Sequence, residues 1–434
     1  MKRVLMDKMR LWKDSEHRKP LIIKGVRQCG KTWLIKEFGA NFFDDAAYFN
    51  FEGNEALVNR FEHDLDVTRI ITELGVLRRK AIHPGKTLII FDEIQFCNRA
   101  LTSLKYFYEN EPEYHIICAG SLLGLSLNKP LPFPVGKVEF FTMYPMNFFE
   151  FLLANGEEML CDYLQKLKTN EKIPEIFAEK LENYLRTYYI TGGMPEVVDT
   201  WIRTKDSEIT EMVQQQILDS YQLDFARHAP PKDFPKLAAI WRSIPLQLSK
   251  ENTKFIFSQI KKGFRAKDLE DALEWLISAG LVCKVTRIEK PSIPVSAYAD
   301  QTFFKLYLCD VGLLRKMANL PAGYILQKNN DYKEFRGAMA ENYVLNEMMN
   351  LFQTDWFYWK SGNTAEIDFI VQHETCIIPV EVKSDRGNKA KSLAEYRKKY
   401  NPKISIKTSM KNINNGDVLQ IPLYFLWQLK KFLP

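Results

Sequence analysis

Lys31 and Thr32 close the run Gly25-Val26-Arg27-Gln28-Cys29-Gly30-Lys31-Thr32, and a later run, Thr87 to Glu93, ends in Asp92-Glu93. The chemistry these types and spacings allow is phosphate handling. A turn bounded by Gly25 and Gly30 lets the successive N–H groups of Val26, Arg27, Gln28 and Cys29 point inward at a β-phosphate, and a following helix adds its positive dipole end. Lys31 then supplies a point charge for the β- and γ-phosphates, and Thr32 a hydroxyl for Mg²⁺. Asp92 can hold the metal's water shell, and Glu93 can orient an attacking water. The two runs together predict a site for a nucleoside triphosphate. The bland alternative is a glycine-bounded turn before an ordinary basic helix. Against it stand a strand-like run at Leu21 to Lys24, a helix-like run at Trp33 to Phe38, and the second, acidic strand.

A second constellation lies toward the carboxyl end. Asp368 sits in Glu-Ile-Asp-Phe-Ile-Val, and Cys-Ile-Ile-Pro-Val-Glu-Val-Lys carries Glu381 and Lys383. Strand alternation puts Ile378, Val380 and Val382 on one face and Glu381 with Lys383 on the other. Upstream, Glu341 shares a helical stripe with Leu345, Met348, Met349 and Phe352, where a charge is costly unless paired or metal-bound. Two acids and a lysine with a helical Glu suit a Mg²⁺-dependent phosphodiester-cleaving site: Asp368 and Glu381 hold the metal and Lys383 stabilises developing charge. The competing reading is a strand pair with a surface ion pair. Between Lys383 and Lys411 there are ten Lys/Arg against two acids, with Tyr396 and Tyr400 interleaved. This is a phosphate-backbone footprint or a solvated basic helix face.

These groups need elements to position them. Strand-like runs at Leu21 to Lys24, Ala47 to Phe51, Leu88 to Phe91 and His115 to Ala119 alternate with helical patterns, which predicts an α/β unit with a parallel sheet over residues 1–155. Both phosphate motifs then fall at the carboxyl ends of strands, where ligands sit in such sheets. Ser121, after the last of these strands, either senses the γ-phosphate or belongs to a simple turn. Val138 to Ala154 reads as the start of a packed helix. Residues 156–232 read as a helical lid or connector, broken at Gly192-Gly193-Met194-Pro195. In 233–325, helices at Phe234 to Leu248, on to about Ile260, and at Ala266 to Ala279 precede strands at Leu281 to Glu289 and Phe303 to Cys309. Three helices and a hairpin make a winged helix, with Lys261, Lys262, Arg265 and Lys267 either touching DNA or forming a solvated turn. Residues 326–434 carry the second constellation as a separate α/β domain.

Composition narrows the class. The chain has 434 residues, too many for one core. With 46% hydrophobic and 26% charged residues it is of ordinary globular type, and no apolar run is long enough to span a bilayer. The amino terminus lacks a hydrophobic signal core. Seven cysteines with no C-x-x-C pair fit reduced thiols in a cytoplasm rather than disulfides or structural zinc. The net charge of +6 is modest, so its location matters more than its total.

Several further runs fall in a shared order: Ile-Phe-Asp-Glu-Ile-Gln, Ala-Gly-Ser-Leu-Leu, Tyr144-Pro145 with Phe148-Phe149-Glu150-Phe151, Gly192-Gly193-Met194-Pro195-Glu196-Val197, Ile244-Pro245-Leu246-Gln247-Leu248-Ser249, Phe304-Lys305-Leu306-Tyr307 with Asp310-Val311-Gly312-Leu313-Leu314, and Glu366-Ile367-Asp368-Phe369 with Glu381-Val382-Lys383-Ser384. With the phosphate loop, they make the chain resemble the prokaryotic AAA-superfamily P-loop ATPases that carry a carboxy-terminal domain of unknown function, over roughly residues 18 to 405. The resemblance implies ATP as the nucleotide, an AAA-like sheet of the archaeal-type branch, a winged helix, and an end similar to the restriction-endonuclease-like PD-(D/E)xK fold. One departure is Gly136-Lys137, where the family usually has Gly-Arg. Lysine offers a point charge and no bidentate fork. If a neighbouring subunit supplies an arginine finger, the monomer hydrolyses ATP slowly.

Three functional readings follow. The first is an ATPase with Mg²⁺ that repositions a winged helix and a nuclease-like domain on nucleic acid, DNA above all. The second is an ATP-dependent switch whose carboxy-terminal module is catalytically silent and binds a protein partner or another copy. The third, a small-molecule kinase, is disfavoured by Glu93, which is placed to activate water.

Overall fold

The computed structural model describes residues 1–120, 134–250, 254–260, 266–326, 333–362, 365–387 and 390–434. The chain forms two compact units. One comprises Lys2–Tyr144 with Ser278–Gly280, the other Pro145–Ile277 with Leu281–Pro434 and Met1.

In the first unit, β1 (Leu21–Lys24), β2 (Asp45–Asn50), β3 (Thr87–Asp92), β4 (His115–Ala119) and β5 (Glu139–Thr142) form a parallel sheet in the order β2-β3-β4-β1-β5. Every residue of β3 and β4 is buried, as expected of central parallel strands covered on both faces. Phe49, Phe51, Phe61, Phe91 and Phe107 are core residues beside β3, with the Phe51 and Phe91 rings 5.5 Å apart and edge-on. β5 corrects the expectation that Val138 onward begins a helix. Its four residues are exposed or half-exposed, so it carries no full core-facing alternation; it pairs with β1 through backbone, with only Phe140 reaching the core, under the Lys24 ammonium at 3.7 Å. In the second unit the helix starts at Phe148, where Asn147 and Glu150 form a reciprocal capping box.

The second unit opens with helices Phe148–Ala154, Glu158–Lys166, Glu175–Thr191, Pro195–Thr204, Ser207–His228 and Phe234–Leu248, with Ala266–Ser278 after them. Then come β6 (Val282–Ile288), β7 (Ala299–Leu308), β8 (Trp356–Ser361), β9 (Ala365–His373), β10 (Cys376–Val382), β11 (Ile406–Ser409), β12 (Asn414–Asn415) and β13 (Leu419–Pro422). They build one mixed sheet in the order β12-β13-β11-β10-β9-β8-β6-β7. The β6–β7 hairpin is therefore not a free two-stranded wing. β6 pairs in parallel with β8, and the hairpin forms one edge of the sheet that carries Asp368 and Glu381. Among the described residues no helix is long and apolar enough to cross a membrane, and none of the seven cysteines is in a disulfide.

Two glycines explain why distant motifs meet. Gly193 donates its N–H to Asp310 Oδ2 at 2.6 Å, while Asp310 Oδ1 caps the helix Val311–Met317 through the Leu313 N–H. A Cβ on Gly193 would lie 2.0 Å from the Met146 carbonyl oxygen, and one on Gly312 would meet the Gly192 nitrogen at 2.4 Å. Gly193→Ala is expected to lower stability by about 1–3 kcal/mol or more, because the obstacle is backbone and cannot rotate away. An unchanged urea midpoint would contradict this packing account.

Glu347, on the helix Lys333–Leu351, accepts the Phe148 N–H through Oε1 at 2.7 Å. Its Oε2 is buried with no hydrogen-bond partner among the described residues. Burial pushes this carboxyl up to about 8, against the pull of the Phe148 N–H and with added repulsion from Glu150. Folding thus raises the pKa above the ordinary 4.5, so the contribution of this group to stability is full below that value and lost as pH climbs through about 8. Unfolding midpoints measured across this window are expected to fall with pH, and Glu347→Gln to flatten the slope. Parallel wild-type and variant curves would refute the assignment.

Candidate functional site

The turn after β1 depends on its glycines. Gly25 has φ +153°, and a Cβ there would come within 2.2 Å of the Met143 carbonyl oxygen. Gly30, at φ +96°, is the left-handed N-cap of the helix Lys31–Phe42. Lys31, 7% exposed, donates from Nζ to the carbonyl oxygens of Gly25 and Val26, both at 2.8 Å, so its ammonium lies inside the turn. Thr32 Oγ1 donates to Asp92 Oδ2 at 2.8 Å, which brings the end of β3 to the start of this helix. Glu93 follows in left-handed geometry at φ +50°, with Gln95 Nε2 donating to its Oε2 at 2.5 Å. Ser121 lies outside the described residues, as do Lys261, Lys262 and Arg265.

Three groups at this site escaped the sequence reading. The Tyr48 hydroxyl donates to Asp92 Oδ2 at 2.8 Å. Burial, then that carboxylate, push the Tyr48 phenol far up, so it stays a donor. The signal was there: a parallel β2–β3 pair puts Tyr48 two residues before Asn50, the partner of Asp92. Arg3 braces the turn, with Nη1 donating to the Cys29 carbonyl at 2.9 Å and Nη2 to the Tyr144 carbonyl at 2.6 Å. No local pattern marks Arg3. Gln95 is the third. Lys137 is engaged by Glu109 at 3.0 Å.

The second constellation gathers in the mixed sheet. Asp368 Oδ2 accepts the Val382 N–H at 2.7 Å, and Lys383 Nζ pairs with Glu381 Oε1 at 2.7 Å. Burial, then Glu341 and Glu381, push the Asp368 carboxyl well above the usual carboxylate range. Glu381 is raised as well, first by burial. Lys305, Tyr307, Glu366 and Lys360 join them, and none was singled out from sequence as a site residue. Lys305 Nζ lies 2.5 Å from Glu366 Oε1 and 3.6 Å from Glu341 Oε2, and the Tyr307 hydroxyl donates to Glu341 Oε2 at 2.6 Å. Lys360 holds the other oxygen of Glu366 at 3.0 Å. The available signal was a lysine within the apolar alternation Phe304-Lys305-Leu306-Tyr307. Among the described residues no group of three or more His, Cys, Asp or Glu is arranged to hold a metal ion.

Of the basic stretch, Tyr396 is 1% exposed and packs edge-on against Trp359 at 5.1 Å. It is core, not a stacking platform for bases. Lys407 donates to the Gly387 carbonyl at 2.8 Å, and Arg386 pairs with Glu182 at 2.6 Å.

Comparison with known proteins agrees with the amino-terminal geometry. Residues 17–152 match a family described as an AAA domain. Residues 182–323 match one described as domain of unknown function DUF8612, and 336–426 one described as domain of unknown function DUF4143. No curated protein matches the chain. Among solved structures, the chain is similar to the Walker-type ATPase PABY2304 of Pyrococcus abyssi, at 17% identity over 72% of this chain and 94% of that one, with a TM-score of 0.45. It is also similar to ORC1 of Aeropyrum pernix, solved in complex with DNA, at 12% identity over 73% and 91%, TM-score 0.27. A STAND protein with a tetratricopeptide repeat sensor, PH0952 from Pyrococcus horikoshii, matches at 14% identity over 81% of this chain and 46% of that one, TM-score 0.28.

Proposed function

We propose that this chain, with its AAA-type domain at residues 17–152, is a Mg²⁺-dependent ATPase whose nucleotide state controls a carboxy-terminal binding module. The observation that carries the reading is the Thr32–Asp92 contact at 2.8 Å beside a buried Lys31. A hydroxyl and a carboxylate that close are the hard oxygen donors Mg²⁺ takes, so these residues fit the ion and would hold it. When bound, Mg²⁺ would offset charge on the β- and γ-phosphates. The main-chain N–H groups of residues 26–30 would cradle the phosphates, and Lys31 would neutralise them. Glu93, steadied by Gln95, would orient the attacking water and take its proton.

With Lys137 paired to Glu109, no guanidinium is supplied at that position, which supports slow turnover by a single copy. Labelled ATP tests the reaction class. Free phosphate as the labelled product is expected; a labelled small-molecule acceptor would replace this reading with a kinase.

For the carboxy-terminal unit, the ion pairing of Glu341, Glu366 and Glu381 with lysines supports the silent-module reading over nucleic-acid cleavage. The order of helices before β6 supports a winged-helix-like arrangement whose hairpin is built into the larger sheet, and the strands of 326–434 support a restriction-endonuclease-like fold kept as a scaffold. Its partner is a protein or nucleic acid.

A further inference from the structure

Asp92 is 3% exposed, so its carboxylate depends on donors from the protein, and three of the described residues supply them. Oδ1 accepts the Glu93 N–H at 3.1 Å, and Oδ2 accepts the Thr32 and Tyr48 hydroxyls, each at 2.8 Å. The first two donors belong to the phosphate turn's helix and to the chain that leaves β3. Tyr48 comes from elsewhere, from β2 at one edge of the sheet. Along β2, Ala47 and Phe49 enter the core on one face, which leaves Ala46, Tyr48 and Asn50 on the other. That second face lies against the helix Lys31–Phe42: a Cβ on Gly39 would lie 2.9 Å from the Ala46 Cβ, and the Lys36 ammonium stands 3.7 Å from the centre of the Tyr48 ring. The register sets the reach. Tyr48 is level with Ile90, and Asp92 lies two residues further along, about 6.6 Å at the usual strand rise. A phenol hydroxyl covers that distance; a serine or threonine at this position would stop short of the carboxylate.

We propose that Tyr48 is a positioning residue of the nucleotide site, anchoring Asp92 Oδ2 so that this carboxylate and the Thr32 hydroxyl stay aimed at the divalent cation that accompanies the triphosphate. The proposal rests on the ATPase reading and deepens it by naming what orients the acidic end of β3. Thr32 is the weaker anchor, because its hydroxyl oxygen is also offered to the ion. Tyr48 acts through Asp92, and a donor behind a metal-binding carboxylate fixes which way its oxygens point.

Mn²⁺ binding to the ADP complex of the full chain, followed by electron paramagnetic resonance, tests this beside calorimetry of ADP binding in EDTA. Tyr48→Phe keeps the ring and its contact with Lys36 and removes the hydroxyl. The variant is expected to bind Mn²⁺ about ten-fold or more weakly than wild type, while its affinity for ADP in EDTA stays that of wild type. In an Asp92→Ala chain, which already lacks the carboxylate, adding Tyr48→Phe should cost nothing further. Wild-type Mn²⁺ affinity in Tyr48→Phe would overturn the proposal, as would a further loss in the Asp92→Ala chain. An equal loss of ADP affinity with and without the metal would also overturn it, since that marks a tyrosine that only packs β2 against the helix. A wild-type chain that binds no ADP in either condition would end the ATPase reading and Tyr48's role with it. ADP binding that Mn²⁺ strengthens equally in wild type and Tyr48→Phe would end the Tyr48 assignment alone, so the two failures are distinguishable.

Discussion

Glu93→Gln is expected to bind ATP as wild type does and to hydrolyse it about 10²- to 10⁴-fold more slowly, the range that a positioned general base contributes. The amide keeps the size of the side chain and a partner for Gln95, which sits 2.5 Å from the Glu93 carboxylate. What it loses is the capacity to accept a proton from the attacking water. The variant should therefore accumulate in the ATP-bound state, read as retained labelled ATP on a filter after single turnover. Hydrolysis at the wild-type rate would show that another group orients the water, and the role given to this residue at the end of β3 would be withdrawn.

Lys31→Ala should act one step earlier. The ammonium is 7% exposed and held by the Gly25 and Val26 carbonyls at 2.8 Å, so its removal leaves the phosphate charge uncompensated in a closed turn. Truncating one partner of a buried charged contact costs about 2–5 kcal/mol, or roughly 30-fold or more in Kd. Calorimetry with Mg²⁺-ATP should find binding weakened to that degree and turnover lost with it. Wild-type affinity in this variant would mean that nucleotide is held elsewhere on the chain. The two substitutions separate binding from chemistry, since one leaves the complex intact and stalled while the other prevents it.

Those predictions concern residues that could be read from the chain without coordinates, and the reason is local. A turn of eight consecutive residues carries its own geometry: Gly25 and Gly30 are required by positive φ values and by the Met143 carbonyl, and the helix that begins at Lys31 is contiguous with them. β1 and β4 likewise follow from short apolar runs, Leu21–Lys24 and His115–Ala119, whose burial on both faces needs no partner to be recognised. β5 was hidden because a four-residue edge strand with only Phe140 packed on the core is held mainly by backbone pairing, which leaves no periodic trace.

Residue order along the chain determined the phosphate turn, the acidic end of β3 and the alternation that puts Glu381 and Lys383 on one face, because each is set by neighbours a few positions away. Tertiary structure alone decided that Lys305 enters the carboxylate cluster, that Asp310 reaches across to hold the Gly193 N–H, and that Tyr396 lies in the core against Trp359. Each of these is a pairing across a long stretch of chain, chosen by strand order in the sheet and by which buried charges can neutralise one another, and no local spacing encodes that choice.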